Sequence, residues 1–245
     1  MKLLLLSNSS NYGEGYLQFG KKMIREFIGE AGSNILFLPY AAVTISWDEY
    51  ESKVNAALSG TGLTVKSLHH FSDPKGALKN ATCIIVGGGN TFHLLSQFQD
   101  LGLLLSVRER VISGIPYVGW SAGINIACPT IQTTNDMPVT KPASFNALSL
   151  VPFQINPHYT DKKIPEHNGE SRAERLKEFI TVNKTAIVVG LPEGMILEVN
   201  EGNFRLIGGK GAMIFKYGHA AEHITDSNKF NQMIKTYTGE NPYRA

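Results

Sequence analysis

Four consecutive apolar residues, Cys83-Ile84-Ile85-Val86, run straight into Gly87-Gly88-Gly89. A segment apolar at every position reads as a strand covered on both faces, because a strand with one wet face alternates apolar with polar. Glycines directly behind it mark a turn out of the sheet. The same grammar recurs along the chain. Lys2–Leu6, Asn34–Leu38, Thr64–Leu68, Ile115–Gly119 and Thr185–Val189 are further short apolar runs. Between them, Tyr16–Gly29, Trp47–Leu58, Thr91–Leu95 and Leu104–Ile112 carry apolar residues at helical spacing. This alternation predicts an α/β fold with a mostly parallel central sheet and helices on both faces.

The pattern changes after Leu191. Met195–Val199 and Phe204–Ile207 flank Asn200-Glu201-Gly202-Asn203, which predicts a C-terminal β-hairpin. Gly211–Lys216 reads as one more strand and Ile224–Thr236 as a closing helix. No repeat, low-complexity linker or charge block divides the chain, so residues 1–245 read as a single α/β domain. With 23 Lys and Arg against 21 Asp and Glu, the net charge of +2 lacks the clustered basic excess of a nucleic-acid binder. Nowhere is there a run of about 18 apolar residues, which argues against a membrane helix. The apolar opening ends at Leu6, short of the roughly 7–15 residues of a signal-peptide core. The two cysteines, Cys83 and Cys128, lie in apolar stretches and read as reduced core thiols of a cytoplasmic protein.

In an open parallel sheet, sites collect beyond the carboxyl ends of the strands. Gly119-Trp120-Ser121-Ala122-Gly123 stands at such an end and matches G-x-S-x-G. That pattern puts a serine on a tight strand-to-helix turn with its hydroxyl exposed and the next N–H, of Ala122, facing an oxyanion. Gly87-Gly88-Gly89-Asn90-Thr91 fits neither phosphate-loop pattern, and its consecutive glycines suit a second oxyanion donor. A serine nucleophile needs a base. Among seven histidines, His158 in Asn156-Pro157-His158 follows the apolar run Leu148–Ile155, and Pro157 stiffens its approach. Two carboxylates compete to orient that base: Glu193 in Leu191-Pro192-Glu193-Gly194, and Asp136 in Thr133–Pro138. A Ser…His…Glu order would differ from the Ser…Asp…His order of α/β-hydrolases. His219-Ala220-Ala221-Glu222-His223 matches H-x-x-E-H and offers a rival zinc reading, which requires a helix there.

Taken together, GGGNTF (Gly87–Phe92), GWSAG (Gly119–Gly123), CPTIQTTNDMP (Cys128–Pro138), QINPHYT (Gln154–Thr160) and LPEG (Leu191–Gly194) resemble the peptidase E family. This is the serine-peptidase group of α-aspartyl dipeptidases that also includes cyanophycinase. LLLLSNS (Leu3–Ser9) and TISWDEY (Thr44–Tyr50) resemble it too, so the likeness spans about residues 1–215. It implies a flavodoxin-like or class I glutamine amidotransferase-like fold, cytoplasmic, needing no metal or other cofactor. It further implies Ser121 as nucleophile, His158 as general base, and the N–H groups of Gly89 and Ala122 as oxyanion hole.

The resemblance supports Glu193 as the triad acid, while Asp136 falls within a family motif and competes for the role. Glu193 is preferred because it ends a predicted strand at the same sheet edge as Ser121. The implied substrate is a small peptide, Asp-Xaa, with other aspartyl peptides of the cyanophycinase kind as the alternative. An aspartyl side chain calls for a cation. Arg172, in the capping box Ser171-Arg172-Ala173-Glu174, sits in a first helical turn that disfavours cations, which points to a ligand unless it simply pairs with Glu170 or a later Glu on the same helix. Asn90 is a further polar candidate. Oligomeric state is left open.

Overall fold

The computed structural model describes residues 1–29, 34–162 and 168–239. Strands β1 (Lys2–Leu6), β2 (Ile35–Leu38), β3 (Val65–Ser67), β4 (Cys83–Val86) and β5 (Pro116–Trp120) pair in parallel in the order β3-β2-β4-β5-β1. Alternate residues of these strands feed two separate cores. Leu3, Leu5, Leu36, Leu38, Ile84 and Val86 pack with Leu94 and Phe98 of α4 (Thr91–Asp100) and Val107 and Val111 of α5 (Leu103–Ile112). Leu4, Leu6, Ile35, Phe37, Cys83 and Ile85 meet Ile24 of α1 (Lys21–Ile28) and Tyr50, Val54 and Leu58 of α2 (Trp47–Leu58). Both faces are therefore dry, which explains runs that are apolar at every position. Each such side chain contributes about 1.5–3 kcal/mol of burial.

The predicted hairpin forms from β8 (Ile196–Asn200) and β9 (Asn203–Ile207). Its two-residue turn has positive φ at both Glu201 and Gly202 (50° and 82°), the twist that hairpin strands need. Antiparallel pairing of β8 with β1 makes a seven-stranded sheet, β3-β2-β4-β5-β1-β8-β9.

One expectation needs correction. The run at Thr185–Val189 does form a strand, β7 (Ile187–Pro192), but not in the central sheet. It pairs in parallel with β6 (Gln154–Tyr159) and antiparallel with β10 (Ala212–Lys216), and β11 (Glu222–Ile224) completes a second, four-stranded sheet. An apolar run reports burial, not the identity of the neighbouring strand. Helix α7 (Arg172–Val182) covers this sheet, setting Leu176 and Ile180 against Tyr159, Val188 and Phe215.

Helix α3 (Pro74–Asn80) went unpredicted, whereas α6 (Ala122–Asn125) is the turn expected after Ser121. The closing helix, α8 (Ser227–Thr238), starts later than predicted because Ile224 belongs to β11 and Asp226 caps the helix. That strand also overturns the zinc reading. Glu222 and His223 pair with Ile214 and Met213, so the two histidines of H-x-x-E-H share no helical face. Nε2 of His223 instead bonds Lys210 O at 2.7 Å, Glu222 pairs with Lys229, and His219 packs on the Tyr237 ring. Among the described residues, no helix is long and apolar enough to cross a membrane.

Candidate active site

Strand β5 ends at Trp120 and α6 starts at Ala122, which leaves Ser121 alone on the bend. Its backbone is held at φ 53° and ψ −111°, a sparsely populated conformation for a non-glycine residue. The flanking glycines allow close approach: a Cβ on Gly119 would lie 2.5 Å from Gly123 O, and one on Gly123 would lie 2.3 Å from Val86 O. Ala122 N–H is the first of α6 and so has no acceptor within its own helix.

The triglycine loop lies over this bend. Tyr50 Oη accepts from Trp120 Nε1 at 3.1 Å and donates to Gly88 O at 2.9 Å, tying the loop to the residue before Ser121. Burial raises the Tyr50 pKa, so the phenol stays a neutral donor. Gly89 has φ 142°, and a Cβ there would collide with Ala41 O at 2.2 Å, so only glycine fits.

His158 comes from the other sheet. Between β6 and β7 the register passes from Pro157 opposite Leu191 to Tyr159 opposite Pro192. His158 is thus an extra residue with φ 53°, a bulge that re-aims its side chain. Its N–H leaves the ladder and donates to Ser7 Oγ at 2.9 Å, while Ser7 Oγ donates to Leu191 O at 2.7 Å. Ser7, wholly buried just beyond β1, therefore fills the gap the bulge opens. The imidazole reaches out with Nε2 2.9 Å from Ser121 Oγ and Nδ1 2.7 Å from Glu193 Oε1.

Glu193 follows β7 and is positioned by its neighbours. Gly194 N–H donates to Asn8 Oδ1 at 2.8 Å, and Lys210 Nζ donates to Glu193 O at 2.7 Å. It does not stand at the edge of Ser121's own sheet, as the sequence suggested; it meets His158 from the four-stranded sheet. Asp136 is engaged elsewhere. Its Oδ2 accepts from Thr91 N–H at 2.8 Å and from the hydroxyls of Thr91 and Thr134 at 2.5 and 3.1 Å, capping α4.

Ser121, Gly89, Asn90, Asp136 and His158 share the wall of a cleft of about 520 Å³. Asn90 spends its amide on structure, accepting from His93 N–H at 3.0 Å and donating to Met137 O at 2.7 Å. A second hollow, of about 990 Å³, opens on the other side of His158 and is lined by Arg172, Glu193 and Lys210. Arg172 does not pair with Glu170, whose partner is Arg175 at 3.8 Å. Its Nη1 is buried without a hydrogen-bond partner. Burial and the nearby Arg175 lower its pKa, and Asp136 and Glu193 offset this by favouring the cation.

With this geometry in place, residues 3–207 match the model of Peptidase family S51. The chain belongs to peptidase family S51. Curated relatives span nearly all of it. Peptidase E of Nostoc sp. (strain PCC 7120) is 48% identical over 234 residues, covering 96% of this chain and 97% of the relative. Peptidase E of Escherichia coli O6:K15:H31 is 43% identical over 230 residues, covering 94% of this chain and all of the relative. The crystal structure of a peptidase from an acI-B1 Actinobacterium shares the fold, with a TM-score of 0.66 at 19% identity over 91% of this chain and 93% of that one. As an S51 member the protein is a serine peptide hydrolase, and peptides are its substrates.

Sequence reasoning missed, as candidates, the residues that hold this candidate site together: Ser7, Asn8, Tyr50 and Lys210. A usable signal existed for two of them. Ser7-Asn8 directly follows β1, at the carboxyl edge where the other candidates were sought.

Proposed function

We propose that this S51 enzyme is an α-aspartyl dipeptidase, with Ser121 as nucleophile, His158 as general base and Glu193 as the acid that orients it. The observation that carries the reading is one imidazole with both nitrogens engaged, 2.9 Å from Ser121 Oγ and 2.7 Å from Glu193 Oε1. His158 Nε2 takes the serine proton as Oγ attacks the scissile carbonyl. The N–H groups of Gly89 and Ala122 receive the developing oxyanion, and each such donor is worth about 10²–10³ in rate. His158 then returns the proton to the leaving amine as the oxyanion collapses, the C=O bond re-forms and the C–N bond breaks, which leaves the aspartyl group on Ser121 Oγ. Water, deprotonated by His158, adds to that ester and releases aspartate and the serine hydroxyl.

Selection of an aspartyl substrate rests on Arg172. Its unpartnered, buried Nη1 gains an acceptor when a substrate carboxylate arrives, and a guanidinium holds a carboxylate with two parallel bonds. Asp136 and Asn90, which have other partners, shape the cleft rather than bond the substrate. We read residues 1–245 as one catalytic domain. Action in the cytoplasm is supported by two buried free thiols, Cys83 and Cys128, the latter pushed by burial to a pKa of about 12.

Hydrolysis of Asp-Leu, Asn-Leu and Glu-Leu by wild type and Ser121→Ala tests the reading. Cleavage of Asp-Leu alone, lost in the variant, is the expected result. No cleavage by folded wild type overturns it. Replacing Arg172 with Met should raise KM for Asp-Leu about 10–100-fold, the scale of a lost charged hydrogen bond, with kcat nearly unchanged.

A further inference from the structure

Outside the cleft, a second cluster of chemistry-bearing side chains forms where α2 meets the single 3₁₀ turn Leu68–His70 that follows β3. Nε2 of His69 is 2.9 Å from Asp48 Oδ1, and Nε2 of His70 is 3.5 Å from the same oxygen. These three donor atoms lie within 4.8 Å of one another, and no other group of three or more His, Cys, Asp or Glu among the described residues does so. Glu51, one turn along α2 from Asp48, adds Oε2 at 2.6 Å from His70 Nε2. Donors on a tetrahedral ion with bonds of about 2.0–2.2 Å stand about 3.4 Å apart, so the observed spacings bracket what a metal needs.

We propose that Asp48, His69 and His70 form a binding site for a divalent transition metal of the zinc class, with Glu51 as a charged partner beside His70. One carboxylate and two neutral imidazoles face the dication, and Glu51 adds a second negative charge beside His70. A mixed nitrogen and oxygen set suits Zn²⁺ or Co²⁺, whereas Mg²⁺ and Ca²⁺ prefer oxygen throughout.

An outer shell orients these ligands, as metal sites require. Ser67, wholly buried, holds His69 and Glu51 at once. Its Oγ is 2.6 Å from His69 Nδ1 and its N–H donates to Glu51 Oε1 at 3.0 Å. With an ion bound, the ring proton sits on Nδ1 and is given to Ser67, which leaves the Nε2 lone pair to the ion beside Asp48. Glu51 is likewise gripped by one oxygen and presents the other. The Trp47 ring, 5.6 Å from that of His69, backs the site, and the two histidine rings pack at 4.0 Å so that adjacent residues converge on one point.

Titration of the full chain with Co²⁺, read by visible d–d absorption, tests the site, with Zn²⁺ competition giving affinity. Wild type is expected to bind one equivalent, displaced by Zn²⁺, and Zn²⁺ is expected to raise Tm. His70→Gln and Glu51→Gln should each weaken Co²⁺ binding at least tenfold. His158→Ala, which removes the imidazole of the cleft, should leave it unchanged. His70 is chosen because its loss spares the Ser67 and Trp47 contacts of His69, and circular dichroism checks the fold. The absence of a saturable band in wild type, or binding unaltered by His70→Gln, overturns the proposal.

Discussion

Ser121 and His158 are both held at a φ of 53°, yet by different means. The serine bend is local. Five consecutive residues, two of them glycines that tolerate contacts of 2.5 Å or less, shape it within the β5–α6 connection. The histidine bulge is not. Its freed N–H is satisfied by Ser7, 151 residues away in sequence and at the end of a strand in the other sheet. The placement of the proposed nucleophile is thus encoded by its neighbours, whereas that of the proposed base depends on how two sheets are docked. Ser7 does that docking twice over, through His158 N–H and Leu191 O.

Four substitutions would break or sharpen this contrast. Ser121→Ala removes the local half outright, and kcat/KM for Asp-Leu should fall at least about 10⁴-fold with Tm nearly unchanged, since alanine keeps the Cβ that the bend already accommodates. Glu193→Gln keeps the shape but loses the charge that orients the imidazole. A drop in kcat of about 10²–10⁴-fold is expected, with KM nearly constant, and an unaltered kcat would transfer the acid's role elsewhere.

Ser7→Ala attacks the long-range half without touching the reacting groups. Misplacement of His158 should cost about 10²-fold in kcat, and Ser7→Thr, which keeps the hydroxyl, should recover part of it. Stability should fall by about 1–3 kcal/mol because a buried N–H and carbonyl lose their partner. Asp136→Ala is the smallest in activity: less than about tenfold in kcat, with stability lower by about 1 kcal/mol from the lost α4 cap. If instead Asp136→Ala matched Glu193→Gln in kcat, the assignment of the acid would be wrong.

Much of the fold was legible because uniform burial leaves a plain trace. Cys83–Val86 is apolar throughout since helices cover both faces of β4, and Trp47–Leu58 shows helical apolar spacing because one face of α2 buries Tyr50, Val54 and Leu58. Helix α3 escaped notice because Pro74–Asn80 buries only Leu78 and so carries no apolar periodicity. H-x-x-E-H at 219–223 misled for a related reason: spacing at i and i+4 has meaning only on a helix, and pairing with β10 made the segment a strand.

By itself, the sequence determined the elbow at Ser121, the glycine loop before it and the run of parallel strands, since each depends on residues a few positions apart. The tertiary structure alone decided that β7 belongs to a second sheet and that Ser7 braces the His158 bulge. It also decided that Glu193 and not Asp136 meets that imidazole. The sequence favoured Glu193 over Asp136 for ending a strand at the Ser121 sheet edge, which is not where it stands; what separates the two carboxylates is the partners at hand. Thr91 and Thr134 occupy one carboxylate, and the His158 bulge brings Nδ1 to the other. Strand register and sheet docking set those distances, and neither is written in any short stretch of chain.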